Sequence, residues 1–158
     1  MSDCVVRYAG RSELCRINEL RAMVNELHVN GRPDIFRSGF TDELKSYLYQ
    51  KFDSESSDVI AALIDGKLCG FAIVEYIERP ASPYRLPQRS VVIDELGVDA
   101  DFRRRGAGRA LVDFCRVEAR RKGYDRIELN MWEFNKSALS FYESVGFRTY
   151  RRYIELEA

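Results

Sequence analysis

The stretch Arg103-Arg104-Arg105-Gly106-Ala107-Gly108 lies between a strand-like run that ends at Val98 and a helix-like run that begins near Gly106. A glycine-rich turn at the start of a helix exposes backbone N–H groups, which bind phosphate together with the positive end of the helix dipole. Gly106 and Gly108 let an anion approach the backbone because they carry no Cβ. The three arginines add charge that pairs with phosphate oxygens. The stretch therefore predicts a phosphate-binding turn at a strand-to-helix junction.

The turn differs from two common phosphate-binding motifs. No Gly-Lys-Ser/Thr follows it, as a P-loop requires, and the Gly-x-Gly-x-x-Gly of dinucleotide-binding folds is absent. A second block lies downstream and reads Asn135-Lys136-Ser137-Ala138-Leu139-Ser140-Phe141-Tyr142-Glu143-Ser144-Val145-Gly146-Phe147. Its beginning is a helix N-cap candidate, since asparagine caps helices well. Two such blocks in this order are a more specific signal than either block alone.

Together the two blocks resemble the Gcn5-related N-acetyltransferase (GNAT) family. The first is similar to that family's acetyl-CoA pyrophosphate motif, and the second to its Asn…Ala-x-x-x-Tyr-x-x-x-Gly-Phe motif. The resemblance is strong over Val91–Phe147 and weaker before it, and Ala100 stands where the family commonly has proline. It implies an enzyme that transfers acetyl from acetyl-CoA directly to an amine, with no covalent intermediate and no metal. The residues that would bind the cosubstrate are Leu96, Val98, Arg103, Arg104, Arg105, Gly106, Ala107, Gly108, Arg109, Asn135 and Tyr142.

The resemblance also implies catalytic roles. Tyr142 would be the general acid that protonates the departing CoA thiolate, although an aromatic core residue is the alternative reading. Asp94 and Glu95 are the candidates for the base that deprotonates the acceptor amine. Successive strand residues point to opposite faces, so we expect at most one of them in the cleft, and the longer reach of Glu95 favours it. Either is equally well explained by a pair with an arginine. Asn130 stands where some family members carry a base on the next strand and cannot serve as one, so ordered water is the alternative route for the proton.

The acceptor side is less defined. In the family, the region that follows the first helix lines the acceptor, and here it contains His28, Arg32, Asp34 and Phe36. A lone histidine is more often a surface or capping residue than a ligand. Core packing is the default for the aromatic candidates, which are Tyr76, Tyr84, Trp132 and Phe134. The sequence leaves the acceptor open among small amines, aminoglycoside-like compounds, polyamines and protein N-termini.

Composition restricts the class of protein. The 158 residues suit one domain, 1–158, and the formal net charge of zero gives no general affinity for nucleic acid. Residues 101–126 nevertheless hold nine Lys or Arg and four Asp or Glu, so a basic segment surrounds the turn. The four cysteines are widely spaced and form no metal motif. No signal peptide or membrane span is expected, which predicts a cytoplasmic protein.

The periodicity of apolar residues predicts an α/β fold. We expect a GNAT-like mixed, largely antiparallel twisted sheet of six to seven strands, with helices on both faces. Ser12 and Thr41 are the predicted caps of the first two helices. Predicted strands cover Cys4–Tyr8, Asp58–Ile64, Leu68–Ile77, Ser90–Val98, Ile127–Met131 and Thr149–Leu156, and predicted helices cover Glu13–His28, a segment after Thr41, Gly106–Lys122 and Asn135–Val145.

Two readings from other classes stay open beside the enzyme. One is a non-catalytic acyl-CoA-binding sensor or interaction module, and the other is a nucleic-acid binder that uses the basic segment. Intact Tyr142 and two carboxylates on the expected strand argue against the first, and zero net charge argues against the second. A homodimer is possible, because the predicted last strand would offer an edge for pairing.

Overall fold

Apolar side chains build one sheet, whose central strands are buried in continuous runs because helices cover both faces. In this computed structural model, which describes residues 3–158, the five strands are β1 Cys4–Tyr8, β2 Ser57–Ile64, β3 Lys67–Arg79, β4 Gln88–Val98 and β5 Arg126–Leu129. They lie in the order β1-β2-β3-β4-β5, antiparallel throughout except for the parallel pair β4/β5. An Asp65-Gly66 turn joins β2 to β3, and both residues have the positive φ that such a turn needs.

Four helices cover the two faces of the sheet, as predicted. They are α1 Leu14–Gly31, α2 Asp42–Asp53, α3 Ala107–Arg121 and α4 Lys136–Ser144. One core cluster joins α3 to the sheet through Leu111 and Cys115, and the other joins α1 and α2 to its opposite face around Phe71. Within residues 3–158, no helix combines the length and the apolar character needed to cross a membrane.

Strand β4 extends beyond the end of its ladder with the parallel neighbour β5, and a cleft opens between the two strands there. Its pairing with β5 covers Ser90–Ile93 alone, against Arg126–Leu129, while its pairing with β3 continues to Val98. A β-bulge interrupts the β3/β4 register: Val74 is opposite Ile93 and Ile73 is opposite Glu95, which leaves Asp94 as the extra residue. Bulges twist a strand and re-aim its side chains.

The predicted helix caps are mostly confirmed. The Thr41 hydroxyl accepts a hydrogen bond from the N–H of Leu44 at 3.4 Å, and the Asn135 side chain accepts one from Ala138 at 3.1 Å. The Ser12 cap is wrong. The chain enters α1 through a 3-10 turn over Arg11–Glu13, and the Glu13 carboxylate accepts from the N–H of Gly10 at 2.8 Å. The carboxylate of Glu13 thus accepts the backbone hydrogen bond at this helix start, in place of the Ser12 hydroxyl.

The predicted last strand is also wrong, so the sheet has five strands in residues 3–158 rather than six to seven. Residues 149–156 carry the alternation of a strand but pair with no sheet edge. Side chains hold the segment instead: Tyr150 donates to Glu128, and Arg32 binds Glu155 at 2.7 Å. Alternation states which residues share a face, but a ladder also needs an unpaired edge within reach. The prediction of no signal peptide concerns the N-terminal residues, and two of these, Met1 and Ser2, lie outside the described residues.

Candidate functional site

A cavity of about 300 Å³ occupies the cleft where β4 and β5 separate. Side chains from α1, α2, β4, β5 and α4 line it, among them the predicted site residues Asp94, Glu95, Leu96, Asn135 and Tyr142. On this side, residues 94–98 have no ladder with β5 in the described chain, so β4 presents an edge to the cavity. An open edge offers backbone donors and acceptors to an extended ligand.

The predicted phosphate-binding turn follows β4 after a short 3-10 helix over Ala100–Phe102. Gly106 occupies the N-cap of α3 with φ of +86°, a left-handed conformation that glycine adopts without strain. Arg104 is also left-handed, with φ of +64°, which is uncommon for a residue with a side chain. The side chains of Arg103 and Arg104 are exposed, and that of Arg105 binds Asp65 at 3.4 Å. The start of α3 therefore has N–H groups that no helical carbonyl accepts.

A buried carboxylate fixes this turn to the rest of the protein. Asp99, only 7% exposed, accepts a hydrogen bond from the N–H of Asp101 at 3.0 Å and one from Arg16 of α1 at 2.5 Å. Its own N–H donates to the carbonyl of Cys69 at 2.7 Å. The backbone hydrogen bond, followed by the Arg16 guanidinium, lowers the pKa of Asp99. The turn is thus preorganised rather than loose.

The two glycines of the turn serve different purposes. A Cβ on Gly108 would lie 2.9 Å from two ring carbons of Phe141, so glycine is required for α4 to pack against the start of α3. Arg109 adds a hydrogen bond to the carbonyl of Ser144 at 3.2 Å. Ala107 is buried in the core below the turn. These contacts place Tyr142, the neighbour of Phe141, beside the phosphate-binding turn.

Tyr142 packs among aromatic rings and also lines the cavity. Its ring packs edge-on against Phe141 and Phe147 at centroid distances of 5.2 and 5.5 Å, while the residue also lines the cavity. Its hydroxyl has no hydrogen-bond partner within residues 3–158. Burial raises the pKa of Tyr142 to about 12. The phenol is therefore protonated at neutral pH and available to donate.

The expectation that Asp94 and Glu95 point to opposite faces is wrong, because both line the cavity. The bulge supplies the physical reason: the extra residue at Asp94 breaks the strict alternation of the strand at this point. Two carboxylates consequently face the same space from one strand. The sequence shows no mark of the bulge, since no glycine or proline interrupts residues 91–96.

Glu95 is held by a buried arginine that sequence reasoning missed. Arg21 of α1, 3% exposed, donates to both carboxylate oxygens of Glu95 at 2.6 and 2.9 Å. It also donates to Asn18 at 2.9 Å and to the carbonyl of Leu44. The rings of Phe40 and Tyr47 lie over the guanidinium at 5.4 and 5.5 Å. Both oxygens of Glu95 are thus engaged by one guanidinium.

Asp94 has a different environment. Its carboxylate accepts a hydrogen bond from the Tyr47 hydroxyl at 2.6 Å. Desolvation raises the pKa of Asp94, the Tyr47 hydrogen bond opposes that shift, and the nearby Glu95 and Glu75 charges add to it. Asp94 is thus the carboxylate of the pair that holds its proton more readily than an ordinary aspartate. The arrangement supplies negative charge that suits a cationic ligand.

An aromatic cluster contributes His28 and Trp132 to the cavity wall, with Phe36 and Phe134 behind them. His28 of α1 stacks on Phe36 at 5.2 Å, Phe36 contacts Trp132 at 5.0 Å, and Phe134 lies 6.3 Å from His28. A Cβ on Gly31 would lie 2.2 Å from Phe134, so the helix end is shaped around that ring. The sequence does carry a signal for this wall: polar residues at 18, 21, 25 and 28 lie at helical spacing on α1.

Residues 22–147 match the model of the Acetyltransferase (GNAT) family. A curated relative from Escherichia coli strain K12, [Ribosomal protein bS18]-alanine N-acetyltransferase, is 31% identical over 83 residues, which are 52% of this chain and 49% of that protein. The chain thus matches about half the length of this relative.

Two solved structures share the fold. A mutant of the BH1408 protein from Bacillus halodurans is 28% identical, with a TM-score of 0.93 over 98% of this chain and 99% of that one. The aminoglycoside N-acetyltransferase AAC(6')-Iy, solved in complex with CoA, is 18% identical, with a TM-score of 0.76 over 100% and 96% of the two chains. The family model covers most of the chain, from α1 to the end of α4, and so includes the cleft and the glycine turn at the start of α3. The chain belongs to the Acetyltransferase (GNAT) family.

Proposed function

We propose that the protein transfers the acetyl group of acetyl-CoA to the amine of an acceptor that binds in the β4/β5 cleft. One observation carries the proposal: β4 loses its partner after Ile93, and Tyr142 lines the resulting cavity while its neighbour Phe141 packs against Gly108 of the phosphate-binding turn. A cosubstrate with a pyrophosphate at one end and a thioester at the other matches a site with these two parts. The similarity to an alanine N-acetyltransferase from Escherichia coli supports an amine acceptor, and membership of the GNAT family supports acetyl-CoA as the donor.

The cosubstrate follows the open edge of β4. Its pyrophosphate binds the N–H groups at the start of α3, from Gly106 to Arg109, with the exposed arginines of the turn as counter-charges. Its extended arm lies along Leu96–Val98, where backbone groups on the β5 side have no ladder partner in the described chain. A backbone donor there stabilises the oxyanion that develops as the thioester is attacked. Asn135, the N-cap of α4, lines the cavity and contacts the cosubstrate there.

Tyr142 is the proposed general acid. As the carbon–sulfur bond breaks, its hydroxyl donates a proton to the CoA thiolate. The raised pKa of about 12 keeps the phenol protonated in the resting protein, but it also makes the phenol a weak acid. We therefore assign Tyr142 a modest share of the rate, with most of it arising from the positioning of the two substrates.

Asp94 and Glu95 give the acceptor side its negative charge. They attract an ammonium ion into the cavity, and Asp94 is the better proton acceptor of the two, since both oxygens of Glu95 are engaged by Arg21. This reverses the preference for Glu95 that side-chain reach alone suggests. The acceptor is a primary amine small enough for one end to enter a cavity of about 300 Å³.

The basic segment around α3 is not proposed to bind nucleic acid. Four of its cations are paired with carboxylates, in the pairs Arg105–Asp65, Arg116–Asp113, Arg121–Glu118 and Lys122–Asp58. Paired charges release fewer counterions on binding a phosphate backbone. A cytoplasmic location is proposed on the four cysteines, all of which are free thiols.

A homodimer is proposed from the edge of β5. A groove of about 490 Å³, the β5 groove, lies between residues 126–128 and residues 147–150. Beyond it, Tyr153, Ile154 and Leu156 are 86%, 95% and 94% exposed. Residues 149–156 of a second copy, with their alternating pattern, would pair with the edge of β5 and bury these apolar side chains, each stabilising the pair by about 1.5–3 kcal/mol.

The function is tested by measuring release of CoA from acetyl-CoA with a thiol reagent, across an aminoglycoside, a polyamine and a peptide with an N-terminal alanine. Tyr142→Phe should lower kcat by about ten- to a hundredfold and leave the KM for acetyl-CoA within about twofold, because the hydroxyl acts only as sulfur departs. Tyr84→Phe, at a position that is 82% exposed, is the matched control. Binding of acetyl-CoA without turnover on any amine would favour a sensor instead.

The phosphate-binding turn is tested by two glycines that share a conformation. Gly106 and Gly66 have φ of +86° and +73°, and a Cβ at either position would meet no atom within 4 Å. Alanine at each should cost about 1–2 kcal/mol of stability. Only Gly106→Ala should also weaken acetyl-CoA binding in calorimetry, by about tenfold. Equal affinity in the two variants would refute the assignment of the pyrophosphate to this turn.

Light scattering coupled to size exclusion tests the dimer. The unaltered chain should elute with the mass of two copies, whereas Ile154→Ser combined with Leu156→Ser should elute as one copy, because the apolar pairing surface is lost. Leu86→Ser, at a position 83% exposed on the loop before β4, should leave the dimer intact. A single-copy mass for the unaltered chain would contradict the proposal.

A further inference from the structure

The imidazole of His28 is a half-buried nitrogen base without an assigned partner. The residue is half-buried in α1 and lines the same cavity as Asp94, Glu95 and Tyr142. Neither ring nitrogen forms a hydrogen bond to another residue within 3–158. A neutral imidazole carries one donor and one acceptor, and a polar group left unpaired in a cavity is costly unless water or a ligand completes it.

The surrounding rings fix the position of this imidazole. Phe36 stacks on it with an interplanar angle of 21°, and Phe134 meets it edge-on at 77°. Phe134 is in turn locked against Gly31, where no Cβ fits. One ring is stacked on the imidazole and a second lies edge-on, while His28 also lines the cavity and bonds to no other residue within 3–158, so its nitrogens are available to a ligand there. A group that is held in place loses little freedom when it binds a ligand.

The charges that face His28 suit a proton acceptor. Burial lowers the pKa of His28, so the ring is neutral at pH 7, while the Glu95 carboxylate opposes this shift and stabilises the imidazolium once it forms. The other titratable or charged groups in the cavity are Arg21, whose charge is paired with Glu95, Asp94 and the neutral phenol of Tyr142. The nearby Arg32 is paired with Asp34 and Glu155.

We propose that His28 is the catalytic base that accepts the proton from the acceptor nitrogen during acetyl transfer. The inference rests on the proposed function and names the base of the same site. The neutral amine attacks the thioester carbon, a C–N bond forms, and the N–H proton passes to His28. The C–S bond then breaks, and the thiolate takes the proton of Tyr142. Solvent returns the proton from His28 to Tyr142, so the protein is unchanged.

The two carboxylates then act by charge rather than by taking the proton. Glu95 is engaged by Arg21 through both oxygens, and Asp94 is held by Tyr47. Of the cavity groups, His28 alone combines a neutral ground state, a free lone pair and a nearby carboxylate that stabilises its charged form. Its placement among aromatic rings also favours an acceptor with an apolar or aromatic body behind the amine.

His28 is the sole histidine of the chain, so its titration is read without assignment. The protein, purified without a histidine tag, is titrated by NMR through the imidazole C–H signals. The kinetic probe is benzylamine with acetyl-CoA, followed from pH 5 to 9, for the unaltered chain and for His28→Phe and His28→Gln. Phe keeps the ring packing without a proton acceptor, and Gln keeps polarity, so that a folding defect in one variant is recognised by the other.

The NMR titration should give a pKa below the ordinary 6.5 for a histidine. Because the amine must also be neutral, the plot of log(kcat/KM) against pH should steepen from a slope of about one to about two below that pKa. Both variants should lose about a hundredfold or more in kcat, with little change in the KM for acetyl-CoA, and should keep a slope of about one.

Two results would overturn the inference, in different ways. Turnover by His28→Phe within about twofold of the unaltered chain, with the same steepening at low pH, would reduce His28 to a wall of the cavity. That outcome leaves the proposed acetyl transfer standing. Absence of turnover by the unaltered chain with benzylamine and with every amine of the panel would instead refute the proposed function, and the inference with it.

Discussion

The end of the β4/β5 ladder at Ile93 is the constraint on which the site depends. A parallel pair that continued to Val98 would close the sheet and leave no room for a ligand between the strands. The core on both faces holds β4 in place past this point, through its ladder with β3, so the unpaired backbone is rigid rather than frayed. The end of this ladder therefore creates the cavity and leaves backbone groups of β4 without a strand partner. It also precedes the glycine turn that we propose binds the pyrophosphate.

Arg21 performs the corresponding task on the acceptor side. It connects α1 to β4 through Glu95 and to α2 through the carbonyl of Leu44, with aromatic rings over the guanidinium. Breaking such a mostly buried pair by removing one partner costs about 3–5 kcal/mol, because the remaining charge is left uncompensated. Two helices and the bulged strand are thus locked together around the carboxylates. This fixed wall lets His28 and Asp94 keep different protonation behaviour within one small space.

Local features of the sequence predicted most of the fold and the conformation of the turn and the cap near the cavity. The glycine turn, the Asn135 cap and the layer arrangement all follow from residues close together in the chain, where propensity and periodicity act. The bulge at Asp94, the Arg21–Glu95 pair and the unpaired segment 149–156 depend on contacts between distant residues. Periodicity assigns a residue to a face, but it does not state when a strand skips a register or which arginine reaches a carboxylate.

Hydrogen–deuterium exchange with and without acetyl-CoA tests the central claim most directly, since it reads the backbone groups themselves. The account predicts slower exchange on binding at two separate places, the open edge of β4 over residues 94–98 and the first turn of α3 over residues 106–110. The segment that pairs with β2, at the start of β3, should not change. Acetyl-CoA binding that leaves both places unprotected, or that protects another surface, would contradict the assignment of the cleft as the cosubstrate site.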